Sequence, residues 1–196
     1  MGLSRLTLVA LAALVAAAGS SASTASSLDQ FRVYKPVADT YVTAARARAN
    51  FGRSRALRVD ASPETMTLVR FRLKGTSASA TSVTLLLRPA GPARARYAVR
   101  RVEDTEWRER RVTYATAPGP SMRFIASRPV RRRAWSAVDV TAFVPPGGGE
   151  EVTLAITTHA TREISFGSRE SNFGPRLVVR TDDGELDDVL DAILRR

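Results

Sequence analysis

The chain has 196 residues, with 30 Lys and Arg against 19 Asp and Glu and a formal net charge of +11. It contains no cysteine and one histidine. Disulfide scaffolds, lipid-modified cysteines and cysteine-held metals are therefore excluded.

The first 25 residues differ from the rest. Arg5 is their single charge, Leu6 to Ala18 is an apolar run, and the small residues Ser20, Ser21 and Ala22 follow. The pattern predicts a secretory signal peptide over residues 1–25, cleaved after Ala22 or Ala25. The run is shorter than the ~20 residues of a membrane-spanning helix. The remaining body, about 170 residues, is one ordinary domain, large enough to bury a core without crosslinks. After processing it is expected away from any membrane, secreted and extracellular or wall-associated.

From residue 29 to 181 the apolar residues alternate in short runs. "FRVYKP" opens the series. In "TMTLVRFRL", Val69, Phe71 and Leu73 face inward, and Arg70 and Arg72 face out. "SVTLLLRP" is apolar on both faces, as a central covered strand is. The alternation slips between Val99 and Val102 in "YAVRRVED", which predicts a bulge. "WSAVDVTAF" reads as a strand with Trp135 in the packing. In "EVTLAITT", Val152, Leu154 and Ile156 form the inward set. Turn chemistry separates the runs at Ser62-Pro63, Pro89-Ala90-Gly91-Pro92 and Pro118-Gly119-Pro120. About ten to twelve short strands predict an all-β, antiparallel β-sandwich of jelly-roll-like type. The end, "DDGELDDVLDAILRR", places Leu186, Val189, Leu190, Ile193 and Leu194 at helical spacing. Residues 182–196 are thus expected as a short, acidic, amphipathic C-terminal α-helix, packed on the basic body or used for self-association.

The charge is uneven. Residues 182–196 hold six acids and two arginines; without them and Arg5, 27 bases and 13 acids remain, net +14. Such a body attracts polyanions. Outward strand arginines, Arg70, Arg72, Arg88 and Arg100, are the candidate platform for an anionic ligand. Trp107 lies among charges and is the expected exposed stacking ring, with Tyr41 beside it as a candidate. The run Arg131 to Arg133 reads as a solvated loop. Nucleic acid is the weaker partner, since net charge alone supports it.

Signals for catalysis are sparse. Metal-ligand spacings, a P-loop and a dinucleotide fingerprint are all missing, so no cofactor is expected and the metal question stays open. His159 in "TTHATR" reads as a surface residue. Glu103, Asp104, Glu106 and Glu109 could supply paired carboxyls, yet their arginine neighbours favour the ionised form and oppose a general acid. A lyase or hydrolase built on His159 or Tyr114 with an arginine is the enzymatic alternative. A structural or adhesive wall module joined through the C-terminal helix is another.

Six ordered segments carry a family resemblance: "ADTYVTAARARANFG" with "LRV", "TLVRFRL", "ATSVTLLLR", "VEDTEWRERRVTYATAP", "WSAVDVTAFV" and "FGSRESNFGPRLVV". Together they resemble the DNRLRE-type domain, also classed as family 96 of the carbohydrate-binding modules. Asp104, Trp107, Glu109, Thr113, Tyr114 and Pro118 fall at that family's spacing. Tyr114-Ala115-Thr116 stands where the family often has Trp-Asn-Asn. The resemblance implies a non-catalytic β-sandwich that binds polysaccharide, with alginate-type acidic glycans as the substrate class. In such a sandwich the last strand lies near the first. Arg169 and Glu170 are then expected beside Asp39 and the Asn50–Gly52 turn, with Glu109, as a structural charge cluster.

Overall fold

The computed structural model describes residues 31–74, 80–91, 94–145 and 151–180. The expected signal peptide (1–25) and C-terminal helix (182–196) lie outside the described residues. The strands are β1 (Phe31–Tyr34), β2 (Ala38–Thr43), β3 (Ala56–Ala61), β4 (Glu64–Arg72), β5 (Ser82–Leu87) and β6 (Ala98–Val102). They continue with β7 (Phe124–Ala126), β8 (Ser136–Asp139), β9 (Glu151–Thr157), β10 (Ile164–Gly167) and β11 (Arg176–Arg180). Among the described residues, helical geometry is confined to three single turns, Ala44–Arg46, Tyr114–Thr116 and Thr141–Phe143.

The smaller sheet has the order β1-β11-β5-β8. The larger runs β10-β3-β4-β9-β6-β7, with β2 paired to β4. All of these pairings are antiparallel. Val69 and Phe71 of β4 and Leu154 and Ile156 of β9 share one apolar cluster with Val83 and Leu85 of β5 and Leu177 and Val179 of β11. The two sheets therefore face each other across a common core, an antiparallel β-sandwich. β5 is interior to its sheet, and both its inward Leu85 and outward Leu86 are buried.

A second apolar cluster lies on the opposite face of the larger sheet. Met66 and Leu68 of β4, Val42 of β2 and Ala155 of β9 meet Trp107 and Val112 there. Trp107 is 6% exposed, and its indole N–H donates to Thr153 Oγ1 at 3.1 Å. The expected exposed tryptophan is thus a cover for the sheet. Its neighbours Glu106 and Arg108 are solvent-facing while the ring turns inward, so charged context misleads about the residue between.

The same second cluster removes the expected bulge. Ala98–Val102 pair without interruption with Thr157–Thr153 of β9. Val99 joins the main core and Val102 the second cluster, so three positions apart they face opposite sides. Tyr41 is not an open stacking face either. It is 8% exposed and stacks on Phe51 at 4.3 Å between ring centroids. Trp135 precedes β8, half-buried, with the Arg176 guanidinium 4.9 Å from its ring centre.

Trp107→Ala should therefore act on stability. Loss of a buried aromatic costs about 3–5 kcal/mol. Urea denaturation of wild type and variant measures it, and a difference below about 1 kcal/mol would mean that the ring is not packed as described.

Candidate functional site

The segment between β10 and β11 builds two features, a carboxylate cluster on one side and an arginine-lined cleft on the other.

Asp39 of β2 is 1% exposed and sits opposite Val69, on the core side of the larger sheet. The backbone N–H of Arg169 donates to Asp39 Oδ2 at 2.7 Å. The N–H of Asp39 donates to Glu109 Oε1 at 2.8 Å. Arg169 Nε lies 3.4 Å from Glu109 Oε1 and 3.1 Å from Glu170 Oε1, and its guanidinium also donates to the Val37 carbonyl. Asn50 fixes the turn that carries Glu109, donating through its amide to the carbonyls of Glu109 at 2.8 Å and Val112 at 2.7 Å. A Cβ on Gly52 would lie 2.1 Å from the Glu109 carbonyl oxygen, so only glycine permits this approach. Asp39, Asn50, Gly52, Glu109, Arg169 and Glu170 thus lie together in one cluster. Burial drives the Asp39 pKa up to about 8, against the pull of the Arg169 N–H, with Glu170 and Glu109 adding to the rise.

The cleft has a volume of about 500 Å³ and is lined by Arg55, Arg88, Arg133, Ser171, Phe166 and Phe173 among others. The Arg88 guanidinium lies 3.7 Å from the Phe173 ring centre, and its Nε donates to the Arg133 carbonyl at 3.0 Å. Phe173 is 50% exposed. No ion pair among the described residues involves Arg55, Arg88 or Arg133. A second cleft of about 310 Å³, lined by Lys35, Arg169, Asn172 and Arg176, shares Ser171 with the first. Arginines lining a cleft beside an aromatic ring can bind carboxylates bidentately while the ring stacks against a sugar face.

The four outward arginines do not form one platform. Arg70, Arg72 and Arg100 share the outer face of the larger sheet, and Arg88 lies at the cleft. Arg70 Nε is 3.3 Å from Glu151 Oε2, and its guanidinium packs 5.2 Å from the Trp107 ring centre. Arg72 bonds to Glu151 Oε1 at 2.9 Å. Arg100 donates to the carbonyls of Ser121 at 3.0 Å and Met122 at 2.8 Å. Their charges are thus engaged within the protein. Arg55 and Arg133 were not candidates from the sequence. The basic run at 131–133 is the one signal for Arg133, and nothing in the sequence singles out Arg55.

The residues considered for catalysis are scattered. Glu103 pairs with Arg101 at 3.1 Å, and Asp104 Oδ1 accepts the Glu106 N–H at 2.8 Å. Glu103, Glu106 and Glu151 line a separate cleft of about 340 Å³, where Glu151 is held by Arg70 and Arg72. Tyr114 donates its hydroxyl to Glu64 at 2.5 Å, which raises its pKa and opposes its use as a base. Thr113 and Thr116 cap the turn that carries Tyr114, supplying the side-chain bonding at that point of the chain. His159 is exposed after β9. None of these lines the arginine cleft.

Two outcomes test this geometry. Gly52→Ala should destabilise by roughly 2–3 kcal/mol, because backbone must move to admit the methyl group; denaturation at an unchanged midpoint would contradict the packing. The second concerns pH. The native state keeps a proton on Asp39, folded pKa about 8 against 3.8 for the free group, that the unfolded chain releases. Stability from this group is fully present below about pH 4 and is lost as pH rises through about 8. Melting temperatures between pH 5 and 8, without divalent ions, should fall more for wild type than for Asp39→Asn.

No curated protein matches the chain. The family model for carbohydrate-binding module family 96 matches residues 30–181, a span that contains every described strand and all three clefts. On that match, the chain belongs to carbohydrate-binding module family 96.

Proposed function

We propose that the protein binds an acidic polysaccharide such as alginate in the arginine cleft, without cleaving it, and that it works outside the cytoplasm. Family membership supports the carbohydrate. One observation supports the acidic character: Arg55, Arg88 and Arg133 line a cleft with no carboxylate partner among the described residues, beside the half-exposed Phe173. The volume falls in the ~300–1,000 Å³ range of ligand pockets. The second basic cleft, across Ser171, gives a polymer a path beyond one subsite. The body's excess of positive charge draws polyanions from a distance, and the cleft supplies the short-range contacts. The apolar run at Leu6 to Ala18 with its small-residue flank supports export.

Affinity electrophoresis through gels of alginate, pectin and neutral glucan tests the proposal, with DNA as a polyanion control across a salt series. An acidic glycan should retard the wild type with a preference that survives salt, whereas pure ion exchange loses all binding. Arg55→Ala and Arg88→Ala should each weaken binding by about 10- to 100-fold, the worth of a charge-assisted hydrogen bond. Arg72→Ala, which removes a charge already engaged by Glu151, should leave it nearly unchanged. Equal losses in all three would point to bulk charge, and unsaturated ends released from the glycan would make the protein a lyase.

A further inference from the structure

We propose that Asp39, Glu109 and Glu170 hold a calcium ion that ties the 168–175 loop to the edge of the larger sheet. One carboxylate oxygen from each of the three lies within 4.8 Å of the others. Asp39 is 1% exposed and its Oδ1 has no hydrogen-bond partner; Glu170 Oε2 is also buried and unpartnered. Two orphaned carboxylate oxygens in one cluster are costly unless a cation meets them. With the ion in place of the Asp39 proton, three carboxylates face one guanidinium, that of Arg169, and two negative charges are left for a divalent ion. Oxygens on one Ca²⁺ lie ~2.3–2.6 Å from it, which allows separations up to about 5 Å. Mg²⁺ at ~2.0–2.1 Å draws its ligands within about 4.2 Å and demands an octahedron. A set of three protein carboxylates suits calcium better, since Mg²⁺ is usually held by one or two carboxylates with most of its waters kept. Ca²⁺ takes ~6–8 oxygens, so water completes the shell. Glu170 keeps 27% of its side chain exposed, which leaves the ion an entry.

The proposal is independent of the glycan. Purified full-length protein is dialysed against EDTA, then titrated calorimetrically with CaCl₂ and, separately, MgCl₂. Melting is followed at matched ionic strength. The expected result is saturable binding of one Ca²⁺ per chain below about 1 mM, with a higher melting temperature and a weaker response to Mg²⁺. Glu170→Gln and Glu109→Gln should each lower calcium affinity at least about tenfold. Wild type that binds no calcium at millimolar concentration, or folded variants that bind it as tightly as wild type, would overturn the assignment. Should a variant fail to fold, the wild-type titration decides alone.

Discussion

A carboxylate has been placed where water cannot reach it, and the far end of the sandwich is organised around that fact. Asp39 must have its charge met or keep a proton, because an isolated ion in an apolar setting is prohibitively costly. Its partners come from 70 and 130 residues away, Glu109 and Arg169. The chain therefore closes on itself at this point, near where β1 and β11 also pair. The loop after β10 folds back tightly from there. Ser168 accepts both the N–H and the hydroxyl of Ser171, and a Cβ on Gly167 would lie 2.5 Å from the Phe173 carbonyl oxygen. The position of Phe173, one wall of the arginine cleft, follows from the anchoring of Arg169 and Glu170 at Asp39.

Positive charge is sorted into two kinds. On the outer face of the larger sheet, Glu151 engages Arg70 and Arg72, and backbone carbonyls engage Arg100. A ligand there would have to displace an existing partner. At the cleft, Arg55, Arg88 and Arg133 face no carboxylate among the described residues. Net charge governs long-range attraction, which salt screens. In the proposed site, guanidiniums without a carboxylate partner would govern which anion stays. The body's charge is spread over the whole surface, but the second property is local.

The sheets were legible in the sequence because period-two alternation reports which residues of one strand share a face. Val69 and Phe71 on β4, with Leu73 just past its end, obey it, as do Val152, Leu154 and Ile156 on β9. The charge cluster was legible through the ordered segments around Asp39, Asn50, Glu109 and Arg169. Alternation says nothing about what covers the outer face. The 103–117 segment lies over it, so Trp107 is buried against Thr153 and Val102 serves a second core. An apparent bulge and an apparent exposed ring were both consequences of that cover. The cleft was least legible. Its arginines come from the approach to β3, the end of β5 and the loop before β8, and only the pairing of β10 with β3 and its bridge to Pro89 brings these together.

Arg133 shows that the cleft is held rather than merely left over. Its φ is 60°, in the left-handed region that residues other than glycine, Asn and Asp rarely occupy. Such a conformation costs on the order of 1–3 kcal/mol and persists only where neighbours impose it. Here the Arg133 N–H donates to the Pro89 carbonyl at 3.0 Å, and the Arg133 carbonyl accepts Arg88 Nε at 3.0 Å. The strained residue thus orients its neighbour's guanidinium over Phe173. The terminal nitrogens of Arg88 remain without a hydrogen-bond partner among the described residues. A guanidinium fixed before the ligand arrives loses less freedom on binding than one that must be ordered by it. The backbone strain at Arg133 is therefore coupled to preorganisation of the proposed anion site, through a single carbonyl.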